Sequence, residues 1–251
     1  MIEFASINDK KELSSLWQMT FLEDCQVIEY FFEHIFKDVV TPVIKIDGEI
    51  VSSLFLLPCS IGKFKGKCVY CAMTKYSHRG KGYMKDLLDF SYDYCKENGF
   101  DFLFLVPAET SLFDYYAKCG FEKFGIARTY TFDNTTPENR EKLNYQYELE
   151  FDNSIIDYWK NSCVVYGGEI IDFGLVFDDE EIIIRNANGS FDEIPENYKK
   201  SGTIIKGDIN FGNDYTPSMI KTENEEIKNI DCYVGITLER DYDLCMFSTG
   251  I

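Results

Sequence analysis

The segment whose residue types and spacing point most directly to chemistry is Ser77-His78-Arg79-Gly80-Lys81-Gly82-Tyr83-Met84. Two glycines alternate there with two cations. The residues that follow, Met84, Leu87, Leu88, Ser91, Tyr92 and Cys95, recur at helical spacing. A turn feeding a helix in this way leaves the first N–H groups of the helix unpaired at the positive end of its dipole, and small residues let an anion approach the backbone. Arg79 and Lys81 bring full charges to the same place, so the chemistry implied is the cradling of a phosphate. The surroundings agree, because Val51 to Lys85 contains no Asp or Glu and holds Lys63, Lys65, Lys67, Lys75, Arg79, Lys81 and Lys85. A strand meander with lysines on its exposed faces would give the same strip. The Walker pattern needs a Gly-Lys-Ser/Thr that is missing here. The dinucleotide pattern needs a parallel βαβ setting, which hairpin-linked strands disfavour.

The elements that must position this turn can be read on either side of it. Ile2-Glu3-Phe4-Ala5 reads as a short strand, and a polar start at Asn8-Asp9 leads into a helix with Leu13, Leu16 and Trp17 on one face. A second helix runs from about Cys25 to Phe36. Then come strands at Pro42–Ile46 and Ile50–Pro58 around the Asp47-Gly48 turn, and a third at Cys68–Thr74 after the Gly62–Gly66 turn. Three antiparallel strands therefore precede the turn, a helix over Tyr83–Asn98 follows it, and a strand over Phe102–Val106 comes next.

With these elements in place, the segment resembles the GNAT superfamily of acyl-CoA-dependent N-acyltransferases, whose turn Arg/Gln-x-x-Gly-x-Gly/Ala binds the pyrophosphate of coenzyme A. Arg79-Gly80-Lys81-Gly82-Tyr83-Met84 matches at the Arg and the middle Gly, and Met84 departs from the final Gly/Ala. The likeness extends through Phe113-Asp114-Tyr115-Tyr116-Ala117-Lys118-Cys119-Gly120-Phe121 and covers essentially residues 1–130. It implies acetyl-CoA as cofactor, held by Arg79, Gly80, Lys81, Gly82, Tyr83 and Met84. The backbone of Ala72, Met73 and Thr74 would pair with the pantetheine arm like an added strand. Tyr116 aligns with the tyrosine that acts as general acid toward the leaving thiolate. For the base, Glu109 after the Phe102–Val106 strand, His78 beside the turn, and a carboxylate relayed by water stay open, and His34 reads as structural. The implied reaction moves an acetyl group to a primary amine, such as a cationic small molecule or a lysine. The alternative is a catalytically inactive acyl-CoA sensor or protein-binding module with the same fold.

The 251 residues fit one large or two small units. Residues 1–130 hold 18 acids and 15 bases, whereas residues 131–251 hold 25 acids and 10 bases, so nearly all of the net charge of −18 sits in the second half. The polar stretch Asp133 to Arg140 with Pro137 reads as a linker. The expected organisation is an α/β (mixed α+β) GNAT lobe over 1–132, a linker over 133–142, and a smaller, β-rich, degenerate GNAT-like lobe over 143–251. In that second lobe a short helix starts at Asn153-Ser154 and Gly167-Gly168 breaks the chain. Glu169–Phe177 pairs with Glu181–Arg185, and further strands fall at Thr203–Ile205, Asp231–Glu239 and Leu244–Phe247. Its likeness to the second lobe of two-lobed relatives, including the enhanced-intracellular-survival acetyltransferases, rests on element order, Tyr166-Gly167-Gly168 and Met219-Ile220-Lys221. In three-domain relatives the terminal carboxylate serves as base, which would here be Ile251, although no third domain is seen.

The acidic balance argues against capture of nucleic acid or of an anionic membrane surface. No run of about 18 apolar residues reads as a membrane span. Nine scattered cysteines without an apolar leader after Met1 fit a reduced, cytoplasmic protein. Cys68 and Cys71 form an isolated CxxC whose members, three apart on a strand, are expected on opposite faces.

Overall fold

The computed structural model describes residues 1–178 and 182–235. Within them the chain runs β1 (Ile2–Phe4), α1 (Lys10–Phe21), α2 (Cys25–His34), β2 (Pro42–Ile46), β3 (Glu49–Ile61), β4 (Phe64–Thr74), α3 (Tyr83–Glu97), β5 (Phe102–Leu105), α4 (Leu112–Lys118) and β6 (Glu122–Phe124). It continues through β7 (Ala127–Thr131), β8 (Tyr147–Phe151), α5 (Asn153–Val165), β9 (Glu169–Ile171), β10 (Gly174–Asp178), β11 (Ile182–Gly189), β12 (Ile204–Ile209), β13 (Asn213–Tyr215), β14 (Ser218–Lys221), α6 (Glu225–Lys228) and β15 (Cys232–Tyr233).

The first sheet is organised around β3, a 13-residue strand. Its residues alternate between two cores: Phe55 and Leu57 face the side covered by α1 and α2, and Leu54 and Leu56 face the side covered by α3. The β2–β3 turn places Asp47 at φ 52° and Gly48 at φ 84°, the pair of left-handed residues that a two-residue hairpin requires. On α3 the buried residues are Leu87, Leu88, Ser91, Tyr92 and Cys95, the stripe that the spacing predicts.

Strand order in this sheet is β1-β2-β3-β4-β5-β14-β6, with β8 pairing the far end of β3 and β15 pairing β8. The position between β5 and β6 is therefore filled from nearly a hundred residues further along the chain. Met219 lies opposite both Leu105 of β5 and Lys123 of β6, antiparallel to each. The second sheet, β13-β7-β12-β11-β10-β9, carries its own smaller core around Phe132, Ile184, Ile205, Ile209 and Phe211.

These pairings correct the expected division of the chain. A cut at 133–142 does not separate the sheets: β7, before it, belongs to the second sheet, whereas β8, β14 and β15, after it, belong to the first. Met219-Ile220-Lys221 is accordingly a strand of the first sheet and not a mark of the second lobe. The core under α1 and α2 also draws on both halves, with Ile155, Tyr158, Trp159, Ile227 and Ile230 packed into it. Glu169–Phe177 forms two strands, β9 and β10, bent apart at Asp172-Phe173. Of the strand expected at Asp231–Glu239, β15 is the described part. The terminal hairpin with Leu244–Phe247 and the carboxylate of Ile251 lie outside the described residues.

A fragment ending at residue 132 lacks β14 and leaves β5 and β6 without their shared partner. It is expected to show no cooperative urea transition by circular dichroism, whereas the full chain unfolds cooperatively; a sharp transition in the fragment would refute the dependence.

Candidate functional site

The site is built where β4 parts from β5. Their parallel register runs only through Gly66↔Phe102, Lys67↔Leu103 and Cys68↔Phe104. Gly66 makes the close end possible, since a Cβ there would fall 2.3 Å from the Phe102 ring. Beyond it β4 bends away, because its pairing with β3 slips between Ser53/Phe55 and leaves Cys71 and Ala72 of β4 opposite Leu54 alone. Cys71 sits in this bulge at φ 48°. The bulge also overturns the expected facing of the CxxC. Cys68 and Cys71 pack on the same core, under α1 and α2, because the extra residue resets the alternation.

From the bulge the chain passes through Ala72, Met73 and Thr74 to a 3-10 turn at Tyr76–His78 and then to the glycine turn. Gly80 has φ 73°, and Gly82, the N-cap residue of α3, has φ 85°. A Cβ at either position would meet nothing within 4 Å, so these glycines answer to backbone conformation and face open space. The first helical bond is Asp86 N–H to the Gly82 carbonyl at 3.0 Å, so the N–H groups of Tyr83, Met84 and Lys85 precede the ladder. Arg79 is tied back to the strand, its Nε donating to the Thr74 carbonyl at 3.3 Å, with its guanidinium 5.7 Å from the Tyr76 ring centre. Lys81 is exposed and has no ion pair among the described residues. Lys85 is engaged by Asp89 one turn along. His78 borders the turn, its Nδ1 2.9 Å from the Ser77 hydroxyl and its ring stacked on Tyr83.

Tyr116 lies on α4, 8% exposed, against Tyr115 and Phe121 with ring centres 5.3 and 6.0 Å away. Burial, with a smaller contribution from Cys119, pushes its phenol up to about 12. It is therefore a neutral hydrogen-bond donor across the physiological range. No acceptor or donor for its hydroxyl occurs among the described residues. Ala72, Tyr83 and Met84 pack against the same core that holds Tyr116, so the structure gathers the end of β4, the start of α3 and α4 on one side of the sheet. Glu109 is not part of that cluster. It is exposed on the loop after β5, where its carboxylate accepts from the Ser111 hydroxyl at 2.7 Å.

On the opposite side of the bulge stands a group that sequence reasoning missed. The Tyr70 and Tyr158 hydroxyls are 2.9 Å apart, deep in the core, and desolvation pushes both phenols well up. The Glu23 carboxylate, 6% exposed between α1 and α2, pushes both further in the same direction. Tyr158 arrives on α5, from the second half of the chain, and the Tyr166 hydroxyl accepts from the Asp24 N–H at 3.2 Å. These ties span 88 and 142 residues, and no local signal in the sequence could have paired them. Among the described residues no helix is long and apolar enough to cross a membrane, and no group of three His, Cys, Asp or Glu is placed to hold a metal ion.

A structure described as a probable N-acyltransferase from Enterococcus faecalis V583 is similar over 88% of this chain and 72% of its own, with a TM-score of 0.57 at 10% identity. A GNAT family N-acetyltransferase from Escherichia coli, solved with CoA, is similar over 49% of this chain and 68% of its own, with a TM-score of 0.42 at 16% identity. An aminoglycoside 6'-acetyltransferase type Ii covers 53% of this chain and 88% of its own, with a TM-score of 0.45 at 18% identity. No curated protein matches the chain in sequence.

Because Gly82 holds φ 85° at the mouth of α3 without a steric demand from neighbours, Gly82→Ala is expected to lower stability by about 1–2 kcal/mol. Urea denaturation measures this; a neutral or stabilising substitution would contradict the conformational reading. A family model for the acetyltransferase (GNAT) domain matches residues 2–124, the stretch that carries the glycine turn, the bulged strand and α4. Residues 2–124 thus form a GNAT acetyltransferase domain.

Proposed function

We propose that the protein transfers an acetyl group from acetyl-CoA to a primary amine. The observation that carries this is one continuous run of backbone. The bulged end of β4, parted from β5, leads directly into a glycine turn that opens the N-terminus of α3 beside Arg79 and Lys81, neither of which has an ion pair among the described residues. The fit to the cofactor rests on that turn: unladdered N–H groups, two left-handed glycines and unobstructed space in front of them.

When bound, acetyl-CoA supplies the thioester carbonyl and a thiol leaving group. The N–H groups of Tyr83, Met84 and Lys85, with Arg79 and Lys81, would hold its pyrophosphate. Gly80 and Gly82 keep side chains away from it, and Met84 turns inward to the core, which leaves the turn's outer face clear. The main chain of Ala72, Met73 and Thr74 would offer strand-like pairing to the pantetheine arm where β4 has no partner on the β5 side among the described residues. The Thr74 carbonyl, on the open edge, already accepts from Arg79 at 3.3 Å, a bond that stiffens the edge while leaving the oxygen a second lone pair. Tyr116, kept protonated by burial, would offer its phenol proton as a hydrogen bond to the thiol leaving group. A phenol near 12 is a far weaker acid than an ordinary thiol, so stabilisation by hydrogen bonding is the larger part of its role. Glu109, exposed on the loop after β5, takes the proton of the incoming ammonium. A net charge of −18 favours cationic acceptors by steering, so turnover of a polyamine falls as salt is raised.

Isothermal titration with acetyl-CoA is expected to give saturable binding that is lost on Arg79→Glu with Lys81→Glu. Absence of binding, or binding indifferent to that reversal, would remove the cofactor assignment. In an amine screen with free-thiol detection, Tyr116→Phe is expected to lower kcat by about 100-fold with KM for acetyl-CoA unchanged. The wild-type rate shows no alkaline decline from this phenol below about pH 11, because it stays protonated until its raised value near 12 is approached. Cofactor binding without turnover of any amine would assign the protein instead to acyl-CoA sensing.

A further inference from the structure

Away from the glycine turn, beside the start of β7 in the second sheet, the structure holds an open recess of about 500 Å³. Arg128 of β7 forms part of its wall and is 5% exposed. Its guanidinium is only partly spent on the fold. Nε donates to the Asp214 carboxylate at 2.7 Å, and Nη1 donates to the Glu141 and Ile209 carbonyls at 2.6 and 2.9 Å. Nη2 has no acceptor among the described residues. Arg140 turns its own fork onto the same carboxylate, with Nη1 and Nη2 each 3.1 Å from an Asp214 oxygen.

One carboxylate thus answers two guanidiniums. Asp214 is held ionised chiefly by its bond to Arg128, so the pair of arginines keeps one positive charge uncompensated. At the exposed rim Lys142 and Glu141 offset each other, and Lys142 has no ion pair among the described residues. A cationic recess of this kind stands out in the half of the chain that holds 25 acids and 10 bases. The other donors of this guanidinium are spent on the protein, whereas Nη2 is left to the recess. The unspent Nη2 of Arg128 presents two N–H groups with the geometry that suits an oxoanion, and Ile126 and Leu143 give the same recess an apolar wall. The volume lies within the range of small-molecule sites.

We propose that this recess binds a small organic oxoanion, a carboxylate or phosphate monoester with a short apolar part, on Arg128 and Arg140. The site is separate from the acetyl-transfer reading and does not depend on it.

The test is isothermal titration of the full chain at constant ionic strength with succinate, benzoate, glycerol 3-phosphate and inorganic phosphate, with sulfate as the reference for non-specific anion binding. At least one organic probe is expected to saturate at one per chain, more tightly than sulfate. Affinity is expected to fall at least tenfold in Arg128→Lys, which keeps the charge and removes the fork, and in the rim variant Arg140→Gln with Lys142→Glu. It is expected to be unchanged in Arg79→Glu with Lys81→Glu, which disables the glycine turn. Preference among the probes distinguishes carboxylate from phosphate. Failure of every probe to exceed sulfate, indifference to the Arg140 and Lys142 changes, or loss on reversal at Arg79 and Lys81 would each overturn the proposal. Should Arg128→Lys fail to fold, the rim variant alone decides.

Discussion

The constraint on which the site depends is that β4 and β5 must be joined at one end and apart at the other within a sheet that stays whole. Parallel strands do not separate without a cause, since each ladder bond lost leaves polar backbone to be satisfied elsewhere. Three features supply the cause. Gly66 lets Phe102 seat itself against β4 and fixes the joined end. The bulge at Cys71 turns the rest of β4 away while it keeps its pairing with β3 through Ser53↔Met73 and Ser52↔Thr74. On its other edge β5 is held by β14 through Leu103↔Lys221 to Leu105↔Met219, so it does not follow β4. The opening between the strands results from β4 and β5 each having a firm partner on the outer side.

How much of this the sequence discloses depends on the range of the interaction. The α3 stripe is legible because a period of 3.6 residues is a local property, and the β2–β3 turn because Asp-Gly tolerates the required left-handed pair. The glycine turn is legible for the same reason, as two positive-φ positions fall on the two residues that accept them without strain. The bulge is not: Cys71 adopts φ 48° with nothing in its type to announce it, and the slip that follows puts Cys68 and Cys71 on one face. Nor is β14. Four residues, Ser218–Lys221, have a strand-like composition but no mark of which sheet they join, and the choice is made by two open edges far away in the chain. The Tyr70–Tyr158 pair is hidden in the same way, since each tyrosine alone reads as an ordinary packing aromatic.

Charge is distributed by a similar logic of distance. The excess of acid in the second half looks uniform along the sequence, yet the fold draws Arg128, from the near-neutral half, toward Arg140 and Asp214 in the acidic one. Burial then decides which charges matter. Exposed pairs such as Lys63 with Glu226 contribute little, while Arg128, with Asp214 and two carbonyls around it, fixes the connection after β7 against the second sheet. Arg128 thereby ties β12, β13 and the connection after β7 together within the second sheet, a joint that is not visible as a composition boundary.

The late arrival of β14 has a consequence for how the chain is made. On a ribosome, β5 and β6 emerge nearly a hundred residues before Ser218, which at ordinary elongation rates is roughly 5–20 s. For that interval the edges of both strands, with the buried side chains of Leu103 and Leu105 on one of them, stand open to any other nascent strand. Synthesis therefore includes a window in which aggregation competes with folding. The window closes only when Met219 and Ile220 reach their place between the two strands.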